Sequence, residues 1–398
     1  MTRGHPEVVV CGHICLDVIP TFAEGGASWE ELLTPGKLSN VGPAVVSTGG
    51  VVSNTGLALH RLGIKTRLMA KIGEDLLGRV VVEVLRRHGP ALASGMLISS
   101  DAPTSYTIVL NPPGVDRIFL HCPGANDTFG ASDVPFPELA GVRLFHFGYP
   151  PLMRRMFIND GQELETLCRR AKAQGPVTCL DMAWPDPAAE SGQAPWERIL
   201  ARVLPHVDIF LPSLDEILFM LDRPRLEQME ARGGINGQAE ADLLNGLAGR
   251  LLDMGTAVVV LKLGDQGLYL RTGADPARVA ALAGLTEPGA WVDRELLAPC
   301  FLANAVGTTG AGDCAVAGFL AGLVHGLTPE EVLTSAVAVG ACNVEAADAT
   351  SGVPSWQEVQ ARVAAGWERR PVSLPLAGWE WDEATGLWRS EADRAHHA

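Results

Sequence analysis

Aromatic residues are scarce in this 398-residue chain, at 6% with three tyrosines, and positive charge is outnumbered: 31 Lys and Arg against 46 Asp and Glu, a formal net charge of −15. The basic residues form no cluster, so nucleic acid and anionic membrane surfaces are poor partners, although a local positive site for a nucleotide is not excluded. No apolar run reaches the roughly 18 residues of a membrane span, and the stretch Met1 to Val10 lacks a basic flank followed by a secretory apolar region. The expected location is cytoplasmic. There is no C-x-x-C: the eight cysteines (Cys11, Cys15, Cys122, Cys168, Cys179, Cys300, Cys314, Cys342) are scattered, mostly within apolar segments, and read as reduced core residues. Cys11 and Cys15 have no second Cys/His pair at zinc-ligand spacing. No internal repeat is visible.

What is present is apolar bulk, 47% of residues, enough for a large core; length alone allows two or three domains. Strand-like runs at Val8 to Cys11, Arg67 to Ile72, Leu144 to Phe147, Val177 to Asp181, Val207 to Leu211 and Val258 to Leu263 alternate with helical stretches. That alternation predicts a doubly wound α/β fold, a mostly parallel sheet with helices on both faces. Ser53 to Leu62 and Leu76 to His88 read as helices stopped by Gly63 and Gly89, and Thr328-Pro329-Glu330-Glu331 as a capping box with proline in the first turn. Leu38 to Ser47 and Thr104 to His121 alternate polar and apolar residues and are expected to form a small sheet over the site edge, with Arg117 and His121 on its second part. Asp222 to Glu240 and Gly273 to Gly289 read as loops or peripheral insertions. From Arg369 onward, Trp379, Trp381 and Trp388 flank Glu383-Ala384-Thr385-Gly386, the pattern of an added hairpin packed on the body or on another subunit.

The stretch Gly307-Thr308-Thr309-Gly310-Ala311-Gly312-Asp313 carries the chemistry. Phe301 to Val306 before it reads as a short strand, and Cys314 to His325 after it as a helix closed by Gly326. Gly310 and Gly312 then sit at a helix N-terminus, where backbone N–H groups lack intrahelical acceptors and bare glycines let a phosphate approach. Asp313 beside such an anion suits a base for an attacking hydroxyl. A P-loop is excluded because Asp313-Cys314 stands where Lys and Ser/Thr are required. Gly310-x-Gly312-x-x-Ala315 fits a loose dinucleotide pattern, but the acidic residues about 20 positions on, Glu330 and Glu331, open a helix instead of ending a strand. Cys314 reads either as a nucleophile or as a small residue letting the helix pack closely.

Together these residues resemble the ribokinase-like (PfkB) carbohydrate kinases, in order, over about residues 6 to 365. Gly12-His13-Ile14-Cys15-Leu16-Asp17 is similar to the family's first strand-end motif, and Gly49-Gly50-Val51-Val52-Ser53-Asn54 to its glycine doublet and substrate-binding Asn. Lys71-Ile72-Gly73-Glu74-Asp75-x-x-Gly78 and Gly124-Ala125-Asn126 also match, as do Lys262-x-Gly264-x-x-Gly267 and Gly310-Ala311-Gly312-Asp313. The resemblance implies a ribokinase-like fold with a small β-sheet lid (strands within about 14–47 and 104–122), a kinase domain over 1–365 and a Trp-rich extension over 366–398. It implies ATP and Mg2+ as cofactors and Asp313 as general base, with the backbone of Gly310, Ala311 and Gly312 as anion hole. Asp17, Gly49, Gly50 and Asn54 would hold the sugar, Lys262, Gly264, Gly267 and Thr309 the nucleotide, and Glu216 the metal. Read alone, Asp17 also suits a turn before Pro20, and Asn54 a helix start.

The chain departs from the family pattern at three places. Gly307 stands where an Asp associated with a monovalent-cation site is usual, so potassium dependence is not carried over. Ser213-Leu214-Asp215-Glu216 replaces N-x-x-E, keeping the Glu but not the amide; Glu216 equally suits an acidic first turn. Val52 fills a position usually smaller. The expected activity is phosphoryl transfer from ATP to a carbohydrate hydroxyl. The alternatives are a nucleoside kinase of the same fold, with Tyr106, Phe119 or Phe147 as platform for the base, and a non-catalytic sugar- or nucleotide-binding protein. A homodimer is expected by analogy alone.

Overall fold

In the computed structural model, which describes residues 5–22, 34–111, 118–235 and 238–395, the strands in chain order are β1 (Val8–Gly12), β2 (Cys15–Pro20), β3 (Ala44–Gly49), β4 (Thr66–Gly73), β5 (Met96–Ser99), β6 (Tyr106–Leu110), β7 (Ile118–Cys122), β8 (Leu144–Gly148), β9 (Val177–Asp181), β10 (Ile209–Phe210), β11 (Val258–Lys262), β12 (Leu268–Thr272), β13 (Glu295–Ala298), β14 (Glu380–Asp382) and β15 (Leu387–Arg389). The site-bearing helices are α1 (Val51–Arg61), α2 (Leu214–Leu221), α3 (Ala311–Val324) and α4 (Pro329–Asn343).

Eleven strands make one sheet in the order β14-β15-β13-β12-β11-β10-β9-β8-β1-β4-β5. From β5 to β11 it is parallel, and the remaining strands are antiparallel. β1 is buried at every position, because alternate side chains feed opposite cores. Val8 and Val10 join α1, α3 and α4 on one face, and Val9 and Cys11 join Phe145, Phe147 and Leu180 on the other. The chain leaves β1 toward β4 and β5, then returns to β8 on the other side, so the strand order reverses between β1 and β8. Carboxyl ends of parallel strands at such a reversal are where α/β folds place ligands.

β3, β2, β6 and β7 form the separate four-stranded sheet expected as a lid, though β3 begins only at Ala44. Arg117 lies outside the described residues.

Three local expectations are corrected. Phe301 to Val306 is not a strand: Phe301 alone pairs, with Arg369, while Leu302 and Val306 are exposed and Ala303 and Ala305 line a cavity. The segment from Asp222 contains a helix, Arg223–Ala231, capped by the Asp222 carboxylate accepting from the Arg225 N–H and started by a proline in its first turn. Within Gly273 to Gly289 there are short helical turns at Pro276–Val279, Ala280–Gly284 and Pro288–Trp291. The tail does form a hairpin, β14–β15, and it lengthens the main sheet by pairing Leu297 with Trp388.

Candidate active site

The carboxyl ends of β1, β8, β9 and β11 deliver His13, Tyr149, Asp181 and Lys262 to one edge of the sheet, and α3 begins there. This helix starts at Ala311, three residues earlier than its hydrophobic pattern indicates, so Gly312 and Asp313 lie inside its first turn. Gly310, the N-cap, is left-handed at φ 72°, and a side chain there would meet the Ala349 carbonyl at 2.5 Å. Gly312 is different: a Cβ at that position would meet only the Lys262 stem, at 3.7 Å. The Ala311 N–H is spent on Thr308 O at 3.2 Å, and the Gly312 and Asp313 N–H groups are the first-turn donors left to an anion.

Asp313 is 6% exposed and oriented by three donors. Asn54 Nδ2 donates to Oδ2 at 2.9 Å, and the Tyr149 and Thr55 hydroxyls donate to Oδ1 at 2.6 and 3.3 Å. Two come from α1, whose start after Gly49-Gly50 faces the start of α3. Asn54 therefore reaches the aspartate directly, while its Oδ1 is buried with no partner among the described residues. Burial, with Asp313 and Asp181 nearby, pushes the Tyr149 phenol far up, so it is a donor at all ordinary pH.

Below this pair Lys262 Nζ lies 2.5 Å from Asp181 Oδ1, both largely buried. Burial opposes the Lys262 cation, but the charges of Asp181 and Glu216 outweigh it and hold the ammonium above the ordinary lysine range. Burial likewise raises the Asp181 carboxyl, and the Lys262 charge counters it. Asp181 Oδ2 has no partner among the described residues. Glu216 is buried and closes a capping box at α2, taking the Ser213 N–H on Oε2 at 2.7 Å; burial raises its carboxyl, with Lys262 pulling the other way. Among the described residues no three side chains converge as a metal cage. Mg2+ bound chiefly through a polyphosphate needs only one or two carboxylates, and Glu216 with the unpartnered, buried Asp181 oxygen fits that donor set.

Asp17 reaches the same region through the lid. An added Cβ at Gly49 would overlap its carboxylate, so glycine there makes room for it. Cys15 Sγ donates to Asp17 Oδ1 at 3.2 Å, and burial raises the Asp17 carboxyl. Thr107, next to Asp17, shares a 2.9 Å hydrogen bond with His121 Nδ1. The His121 ring lies 5.4 Å from that of His13, which is 6.0 Å from Tyr149. Thr107, His121, His13, Tyr149 and Asp313 thus form a continuous run of contacts from the lid, beside Asp17, to the start of α3. Gly50, left-handed at φ 85°, lies against the His13 ring.

On the far side of Lys262 opens a cavity of about 440 Å³, mostly apolar, whose walls include Leu268, Phe301, Val337, Ala341 and Val344. Lys262, Gly264, Gly267 and Gly312 line it too, so the glycine turn and the helix start share one slot. Of the two threonines Thr308 lines it, whereas the Thr309 carbonyl accepts from Asn343 Nδ2 at 2.9 Å. Cys314 is fully buried with its thiol pushed far up by burial and Asp313, which makes it a packing residue. Phe147 lies in the opposite core against Phe129 and forms no platform here. No motif marks Tyr149, Thr55 or Asp181; Gly148-Tyr149-Pro150-Pro151 at a strand end is the signal for the first.

Comparison with known proteins places the chain in a family and a fold. An uncharacterized sugar kinase of Archaeoglobus fulgidus is 24% identical over 298 residues, 75% of this chain and 98% of its own. Probable fructokinase-7 of Arabidopsis thaliana is 26% identical over 378 residues, 90% of this chain and 93% of its own. The structure of Arabidopsis thaliana ribokinase complexed with ribose and ATP superposes with a TM-score of 0.67 at 18% identity, covering 89% of this chain and 98% of that one, a likeness of fold. Residues 6–356 match the pfkB family carbohydrate kinase, and with the ribokinase-like sheet and lid in place, the chain belongs to that family.

Proposed function

We propose that the chain transfers the γ-phosphoryl group of MgATP to a hydroxyl of a carbohydrate, with Asp313 as general base. The observation that carries this reading is the placement of Asp313: a buried carboxylate held by three donors, one residue beyond a glycine whose vacant Cβ position opens onto the slot. Oδ2, bonded only to Asn54 among the described residues, keeps a lone pair for the incoming hydroxyl. As the acceptor oxygen attacks the γ-phosphorus, its proton passes to Asp313, the bond to the β-phosphate oxygen breaks, and ADP leaves. The first-turn N–H groups of α3 and the Lys262 ammonium face the charge on the transferred group. Mg2+, when bound, neutralises polyphosphate charge; Glu216 and Asp181 are the residues to hold it. Asp17 and the free Asn54 Oδ1 accept from sugar hydroxyls, and the lid sheet excludes water so that ATP is not hydrolysed.

The test is ADP release from ATP and Mg2+ against a panel of sugars, sugar acids and nucleosides, for wild type and Asp313→Asn. Turnover on one class, reduced by about 10²- to 10⁴-fold in the variant, is expected. Saturable ligand binding with no turnover on any of them would favour a binding protein instead.

A further inference from the structure

The tryptophan-rich tail lies beyond the family match, which ends at residue 356, yet it runs along the wall of the apolar slot. The Arg370 N–H donates to Cys300 O at 2.7 Å, and Leu302 N–H to Glu368 O at 2.9 Å. Trp367 stacks on Phe301 at 4.6 Å, and the Arg369 guanidinium covers the same ring at 4.0 Å. Ser373 donates to Gln266 Oε1 through both its N–H, at 2.7 Å, and its hydroxyl, at 3.0 Å. The two segments gripped in this way, around Cys300-Phe301 and Gly264 to Gly267, are themselves walls of the slot. Further along, the tail is fastened again: Trp379 packs on Tyr269, and buried Asp393 accepts from Arg294 Nε at 2.7 Å and from Arg389 Nη1 at 2.9 Å. A tail anchored on both sides of the slot holds whatever it presents there in a fixed place.

It presents Arg370. This side chain lines the slot together with Asp265, its salt-bridge partner at 2.7 Å, and both remain substantially exposed, at 49% and 40%. An ion pair that open to water contributes little to stability, so the guanidinium is available to a ligand. Lys262, Ala311 and Gly312 line the slot at the start of α3, whereas Arg370 is fixed through its backbone to Cys300, beside Phe301, and through its side chain to Asp265, and a planar guanidinium suits the face of a base.

We infer that the C-terminal segment is a working part of the nucleotide site and that Arg370 binds the nucleoside end of ATP; this rests on the kinase reading above. The test measures MgATP and Mg-tripolyphosphate binding by calorimetry to full-length wild type, Arg370→Ala and Arg370→Lys, with thermal melting as the folding control. Arg370→Ala is expected to weaken MgATP about tenfold, with tripolyphosphate unchanged and Arg370→Lys restoring only part of the loss. Equal weakening of both ligands, or no weakening of MgATP, overturns the assignment. Failure of the wild type to bind MgATP at all would sink the kinase reading itself, a distinct result.

Discussion

The Tyr149 hydroxyl donates to Asp313 Oδ1 at 2.6 Å from a backbone position, φ 71°, that non-glycine residues rarely adopt. A left-handed tyrosine costs on the order of 1–3 kcal/mol unless its surroundings impose it. Here Gly148 pairs in register with Gly12 and Asp181, and the Tyr149 N–H is held by Asp181 O at 3.3 Å, so the sheet turns the ring toward α3. Tyr149 and Thr55 together fix one oxygen of Asp313, which leaves the other bonded only to Asn54 among the described residues.

Tyr149→Phe keeps the ring and deletes the donor. The expected result is a fall in kcat of about tenfold with little change in KM for either substrate, because Asp313 loses orientation and neither ligand loses a contact. Unchanged kcat in steady-state kinetics would reduce Tyr149 to packing.

The two glycines of the helix start separate fold from chemistry. Gly310→Ala forces a side chain into a left-handed position against the Ala349 carbonyl and is expected to lower the melting temperature. Gly312→Ala meets nothing but the Lys262 stem, and alanine in a helical turn should if anything stabilise, by about 0.5–1 kcal/mol. On the proposed mechanism its methyl group would nonetheless stand in the way of the phosphate, so activity should drop about 10²-fold. Denaturation midpoints set beside turnover decide it: a Gly312→Ala protein that is both stable and active would remove the anion hole from this turn.

How much of this was legible beforehand follows from how far each signal travels along the chain. The parallel sheet was visible because buried stretches such as Val8 to Cys11 and Val258 to Leu261 are apolar on both faces, and the glycine turn because Gly310, Gly312 and Asp313 lie within four residues. The aspartate's partners were another matter: Tyr149 is 164 residues from it, and only strand register brings them together. Asp181 and Lys262, 81 residues apart, likewise meet only because β9, β10 and β11 lie side by side. Phe301 to Val306 has the composition of a strand because Phe301, Ala303 and Ala305 line a cavity while Leu302 and Val306 are apolar residues left exposed.

The Asp181–Lys262 pair gives a third prediction. Lys262→Met leaves a buried carboxylate without its cation, and breaking such a pair typically costs about 3–5 kcal/mol. Urea unfolding should show that loss, and Lys262→Met combined with Asp181→Leu should recover much of the stability while turnover stays low. A Lys262→Met protein as stable as wild type would mean that the pair carries no charge in the fold.

The buried histidines predict how stability depends on pH. His146 and His13 are almost wholly inaccessible, and neither ring nitrogen of either has a partner among the described residues. Burial lowers both from an ordinary 6.5 to about 3, helped at His146 by the Lys262 charge and at His13 by His121. The unfolded chain therefore takes up protons near pH 6.5 that the folded protein refuses until about pH 3. Their contribution to stability is complete above pH 6.5 and is lost as pH falls through the window between these values, by up to about 1.4 kcal/mol per pH unit for each ring. His146→Leu, which replaces an unpaired imidazole with an apolar side chain, should leave stability at pH 7 unchanged or higher and flatten this slope in urea titrations between pH 6.5 and 4. An unaltered slope would mean that His146 is protonated inside the fold, beside Lys262, and that the ionic state of the site is other than the one on which Lys262 and Asp181 are assigned here.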